Sequence, residues 1–126
     1  MMIEQLIQAA KEEKGDFIDS NIPKISNDPK FISWAKDKGL NDKNEKVRDL
    51  AVSLLEKTNV LDEETKERLY SLMSDDPNSY VRFRSAFALT RHKYAKHPQE
   101  VIDVLKQAAQ DSDVKEIAED YLKRLI

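Results

Sequence analysis

The chain has 126 residues, 24 acidic against 21 basic side chains, a formal net charge of −3 and no cysteine, which predicts one domain over 1–126 and excludes disulfides and thiolate chemistry. Charged residues make up 36% against roughly 25% in ordinary globular chains, so the interior has to be thin, yet a chain this long buries enough surface to fold without a metal or cofactor. Two glycines and four prolines argue against a β-rich fold full of tight turns and predict an all-α one.

The first apolar stripe, Ile3, Leu6, Ile7 and Ala10, has the spacing of one helical face. The stretch around Pro23 reads as a short broken helix, and residues 1–28 together as an N-terminal cap. Asp28-Pro29 has the form of an N-cap followed by proline at the first helical position. It opens a helix through Phe31, Ile32, Trp34 and Ala35, with Trp34 at a core position and Gly39 suited to a left-handed C-cap. Three further helices start behind acidic turns at Asp42, Asp76 and Asp111. Between them lie partner helices marked by Leu69, Leu72 and Met73, and by Val101, Ile102, Leu105 and Ala108. Asp76-Pro77 and His97-Pro98 read as further N-cap and proline pairs.

The three helices behind the acidic turns repeat one another. Val47-Arg48-Asp49-Leu50-Ala51-Val52-Ser53-Leu54-Leu55 aligns with the nine residues from Val81 to Leu89 and the nine from Val114 to Leu122, the valines being 34 and 33 residues apart. Each places small or apolar residues four, seven and eight positions after its valine. An acidic turn, Val-Arg, then small and leucine-like residues, with a second helix between copies, resembles the short HEAT-like (armadillo-type) repeat family over residues 29–126. The family's motif falls on Asp42, Val47, Arg48, Ala51 and Leu55; on Asp76, Val81, Arg82, Ala86 and Leu89; and on Asp111, Val114, Ala118 and Leu122. The third copy has Lys115 for arginine and a turn shorter by two residues, and the second has Ser85 where alanine is usual. A tetratricopeptide array shares the period, but its recurring glycine and tyrosine positions are missing. The resemblance implies an α-α superhelix, a solenoid of stacked hairpins with about seven to eight helices, in which Arg48 and Arg82 pair with the turn aspartates.

Chemistry-bearing constellations are missing. His92 and His97 flank a predicted turn and read as surface or capping residues rather than metal ligands. No serine or threonine is set with a histidine base and an orienting acid, and no glycine-rich phosphate loop exists. Acidic groups such as Asp62-Glu63-Glu64 sit where helices begin, as the macrodipole favours. The prediction is a non-enzyme without catalytic, cofactor or metal residues. No long apolar run occurs and Glu4 follows without a basic flank, so neither a membrane span nor a signal peptide is expected and the expected location is cytoplasmic.

One segment breaks the pattern. Residues 77–99 hold Arg82, Arg84, Arg91, Lys93 and Lys96 and no acidic residue, while residues 47–76 carry a net −4 and residues 100–126 a net −3. On a helix over 79–94, at about 100° per residue from Val81, Phe83, Tyr94, Phe87 and Tyr80 fall near 200–260°, with Arg91 and Arg84 beside them. The sister copies place Lys46, Asp49 and Ser53, and Asp113, Glu116 and Asp120, at matching positions. Tyr80, Phe83, Arg84, Phe87, Arg91 and Tyr94 therefore form a candidate partner-binding stripe, unless a neighbouring helix covers it and makes it core. If exposed, Phe87→Glu leaves helicity intact and abolishes association.

The first functional expectation is a non-enzymatic scaffold that docks another protein or a second copy of itself. The alternative is a nucleic-acid-binding HEAT-like protein using the basic and aromatic helix 79–94, against which the acidic net charge speaks. HEAT-like repeats also resemble parts of chromophore lyases and some base-excision glycosylases, but no residue here supports that transfer.

Overall fold

Side-chain caps set where the helices begin. In the computed structural model, which describes residues 2–126, Asp28 accepts from Lys30 N at 2.9 Å, Asn44 from Lys46 N at 2.8 Å, Asp62 from Thr65 N at 2.7 Å and Asn78 from Val81 N at 3.1 Å. Each satisfies a donor that the first helical turn leaves without a partner. Among the described residues the result is eight α-helices, one 3₁₀ turn and no strand, the all-α fold that the composition predicts. Contacts divide the chain into two compact units that meet at Leu61 and Asp62.

The first unit holds α1 (Ile3–Lys11), α2 (Gly15–Ile25), α3 (Pro29–Asp37), the 3₁₀ turn Gly39–Asn41 and α4 (Glu45–Lys57). Helix α4 is its centre and packs against all the others. The end of the expected cap is tied to the first repeat: Thr58 Oγ1 donates to Ser26 O at 2.8 Å and Asn59 N donates to Asn27 Oδ1 at 2.8 Å. Helix α2 runs unbroken through Pro23, contrary to the expected break, because the missing N–H falls in its last turn, where little helix follows.

Gly39 has no positive φ, so it is not the left-handed cap that the sequence predicts. It opens the 3₁₀ turn, and the reason it is glycine is space: a Cβ there would lie 2.6 Å from Ala51 Cβ and 3.1 Å from the Trp34 ring. Trp34 is half-buried against it.

The second unit holds α5 (Glu63–Asp75), α6 (Ser79–Arg91), α7 (Pro98–Ala108) and α8 (Lys115–Leu125). Helix α6 is its centre, packed against α5, α7 and α8. The expected repeat of core positions is present. Val47, Val81 and Val114 are buried, as are Ala51, Ser85 and Ala118 four residues on, and Leu54, Ala88 and Tyr121 seven residues on. Ser85, the departure from alanine, donates its hydroxyl to Val81 O at 2.7 Å, so no buried donor is left over.

The acidic turns are also repeated in atomic detail. Asp42, Asp76 and Asp111 each accept, through Oδ1, from the backbone N–H two residues on, at 2.8, 2.9 and 2.9 Å. Helix α6 starts at Ser79 behind Asn78, so Asp76-Pro77 belongs to the turn rather than to the helix start. Arg48 Nη1 donates to Asp42 O at 2.9 Å and Arg82 Nη1 to Asp76 O at 2.7 Å. The expected pairing of these arginines with the turn aspartates thus includes the backbone carbonyls of the turn in their own repeat, where a guanidinium acts as a rigid multi-donor fork.

Two helices end in a left-handed residue that is not glycine. At the end of α1, Glu13 has φ 58°, with Lys14 N donating to Ala9 O at 2.9 Å. At the end of α6, Lys93 has φ 57°, with Tyr94 N donating to Leu89 O at 2.9 Å and Lys93 N to Thr90 O at 3.1 Å. Both are Schellman closures, which normally carry glycine. Lys93→Gly is therefore expected to raise unfolding stability by up to ~1 kcal/mol, seen as a higher urea midpoint with an unchanged slope.

Candidate interaction surface

Helix α6 supplies most of the predicted stripe, and neighbouring helices cover much of it. Phe87 is fully buried, Phe83 is 6% exposed and Tyr94 9% exposed; the expectation of an exposed aromatic stripe is corrected accordingly. Two physical causes account for this. Helix α8 folds over the middle of α6, stacking Tyr121 on Phe87 with ring centroids 5.3 Å apart at 16°, and Arg124 lies 4.6 Å over the Tyr121 ring. The second cause is helix length: α6 ends at Arg91 and the chain turns through Lys93. Tyr94 consequently leaves the helical wheel and folds back towards α5.

Tyr94 joins a cluster that sequence reasoning missed. Its ring lies 5.9 Å from Tyr70 and 6.1 Å from His97, and the Tyr70 and His97 rings stack at 4.2 Å. Glu100 Oε2 lies 2.9 Å from the Tyr70 hydroxyl and 3.1 Å from His97 Nδ1. Glu67 accepts from Lys96 Nζ at 2.7 Å and from the Tyr94 hydroxyl at 3.3 Å. The Lys96 hydrogen bond holds the Glu67 carboxyl below its ordinary range. Burial, reinforced by the Glu67 charge, pushes the Tyr94 phenol up to about 12. His97 sits at the N-cap of α7 ahead of Pro98, as predicted, and its side chain makes no cap bond. The i, i+3 spacing of His97 and Glu100 was the available signal; the contribution of α5 had none.

Tyr80, Arg84 and Arg91 remain at the surface, the first two half-buried and the third exposed. The Tyr80 hydroxyl donates to Asp113 Oδ2 at 2.8 Å and reaches Asp111 Oδ1 at 3.5 Å. The third turn, which has Lys115 in place of the turn-binding arginine, is thus tied by a tyrosine of the preceding repeat. The hydrogen bond to Asp113, aided by burial and by the Asp111 charge, pushes the Tyr80 phenol up to about 12. A phenol raised above its ordinary value of 10.0 stabilises the fold fully below that value and loses its contribution as pH rises through the folded value. Stability is therefore expected to fall between pH 10 and 12. Ultraviolet titration of the tyrosines should show one late-ionising group fewer in Tyr80→Phe.

Among the described residues no group of three or more His, Cys, Asp or Glu could hold a metal ion, and no helix is long and apolar enough to cross a membrane. Paired helices with a repeated Asp turn, Val and guanidinium lock define a class of protein, the helical-repeat proteins. A family model for HEAT repeats matches residues 38–123, and the chain belongs to that family, whose members stack helical hairpins into solenoids. No curated protein and no solved structure matches the chain. HEAT repeats commonly serve as protein-interaction scaffolds, and the family is generally non-enzymatic.

Proposed function

We propose that this protein is a non-enzymatic HEAT-repeat scaffold that binds another protein, working as one module in the cytoplasm. The observation that carries the reading is the division of labour along the repeat. The repeated positions, Val47, Val81 and Val114 with Ala51, Ser85 and Ala118, are all buried, and Arg48 and Arg82 close turns. Recognition then falls to the outward positions that differ between copies, of which Tyr80, Arg84 and Arg91 are the surface remainder of the predicted stripe; Phe83 and Phe87 are interior and Tyr94 turns to α5.

The test is affinity capture with the purified chain, followed by reconstitution of each captured protein from pure components. A partner that binds stoichiometrically in reconstitution, and binds less well to Arg91→Glu, supports the reading. A chain that retains no protein in reconstitution overturns it.

A further inference from the structure

Four cations of the second unit gather at one end of two parallel helices. Tyr80 at the start of α6 reaches Asp113 just ahead of α8, and Phe87 midway along α6 stacks on Tyr121 midway along α8. The two helices therefore run in the same direction, and their C-terminal ends bring Arg91 and Lys93 together with Lys123 and Arg124. All four side chains are exposed. Arg91 and Arg124 stand at the same repeat position, ten residues after Val81 and Val114, which separates their backbones by about one interhelical distance, roughly 8–10 Å. Stacking of the Arg124 guanidinium on Tyr121 occupies a face of that group and leaves its N–H edge to donate.

The helix dipole accounts for a cation at a helix C-terminus, and Lys57 at the equivalent position of α4 fits that account, paired with Glu56 at 3.5 Å. Three features of α6 exceed it. Helices α4, α5, α7 and α8 each have glutamate in the first turn, while α6, like α3 of the first unit, has no acid there. Its segment, 77–99, carries five cations and no acid, of which Arg82 is engaged by Asp76 O and Lys96 by Glu67. Lys93 also holds a left-handed conformation where glycine is lower in energy. Glu13, the other such residue, pairs with Lys46 at 3.5 Å, whereas Lys93 has no ion pair within 4.0 Å among the described residues.

We infer that this end of α6 and α8 is a docking seat for a carboxylate-rich segment of a partner protein, centred on Arg91, Lys93 and Arg124. The inference rests on the scaffold reading and names the chemistry of its partner. Charge complementarity selects the occupant: helix ends roughly 8–10 Å apart match carboxylates on every third residue of a polyproline II segment, which brings them to one face at about 3.1 Å per residue. A nucleic acid fits less well. Glu63 and Glu64 in the first turn of α5, Glu67 one turn further on, and Glu100 in the first turn of α7 stand at the same end. A polyanion with one charge per roughly 1.7 Å of duplex axis would lay unmatched phosphates over them.

Fluorescence anisotropy with a labelled oligoglutamate peptide tests the inference, with oligoglutamine and a DNA duplex of equal charge as comparisons. The peptide is expected to bind at low salt, more weakly as salt rises, and tighter than either comparison. Arg91→Glu combined with Lys93→Glu should weaken it at least ~10-fold, and Lys93→Gly about 3-fold, from the usual strength of exposed ion pairs. Because Lys93→Gly is expected to raise stability, its loss of binding separates recognition from folding. Absence of saturable peptide binding, equal binding by the charge-reversed chain, or tighter binding of the DNA duplex would each overturn the seat. A reconstituted partner whose affinity ignores the charge reversal would overturn the seat and leave the scaffold standing.

Discussion

Phe87→Ala is expected to destabilise the protein by about 3–5 kcal/mol, a large part of the roughly 5–15 kcal/mol that holds a typical domain together. Phe87 is fully buried and stacked on Tyr121, which is backed in turn by Arg124. Truncation removes the transfer energy of the ring, leaves a cavity at the centre of the second unit, and loses an aromatic pair worth ~0.5–1.5 kcal/mol beyond its area. Urea denaturation monitored by circular dichroism should show a much lower midpoint. An exposed docking residue would behave in the opposite way, losing partner binding at unchanged stability. A loss below about 1 kcal/mol would mean that Phe87 lies at the surface, contrary to its burial. For the same reason Phe87→Glu, which the wheel alone would make a binding mutant, is expected to prevent folding, because it buries a charge without a partner.

Gly39→Ala is the second large effect, with an expected cost of about 2–3 kcal/mol. The added carbon would sit 2.6 Å from Ala51 Cβ. Ala51 has no rotamer through which to yield, so the 3₁₀ turn and α4 would have to separate, beside a Trp34 ring only 3.1 Å from the same point. Gly15→Ala is the control: nothing lies within 4 Å of its added carbon and its φ is not positive, so alanine there gains about 0.4–1 kcal/mol by restricting the unfolded chain. Opposite signs for the two substitutions in paired denaturation curves would confirm packing as the cause. A neutral Gly39→Ala would show that the turn and α4 approach less closely than described.

Much of the fold could be read from periodicity because the forces behind it are local. A helix needs an apolar residue every three or four positions and a polar cap ahead of them. The 33–34-residue spacing of Val47, Val81 and Val114, the aspartate turns and the Asp28-Pro29 start express those needs within a few residues. The candidate stripe was legible only as a contrast between copies. That α6 carries aromatic side chains where α4 and α8 carry polar ones is a property of the chain; whether those rings meet water depends on what packs over them.

By itself, then, the amino-acid order determined an all-helical repeat protein, the positions of its buried valines and small residues, and a segment, 77–99, that holds five cations and no acid. Only the tertiary structure decided that Phe83 and Phe87 belong to the interior, that Tyr94 turns back to Glu67 on α5, that Gly39 answers to Ala51 rather than to a left-handed turn, and that Arg91 and Lys93 share an end with Arg124. Each of these depends on residues distant in sequence being brought into contact, and the burial of a side chain is set by its neighbours in space, which periodicity along one helix does not specify.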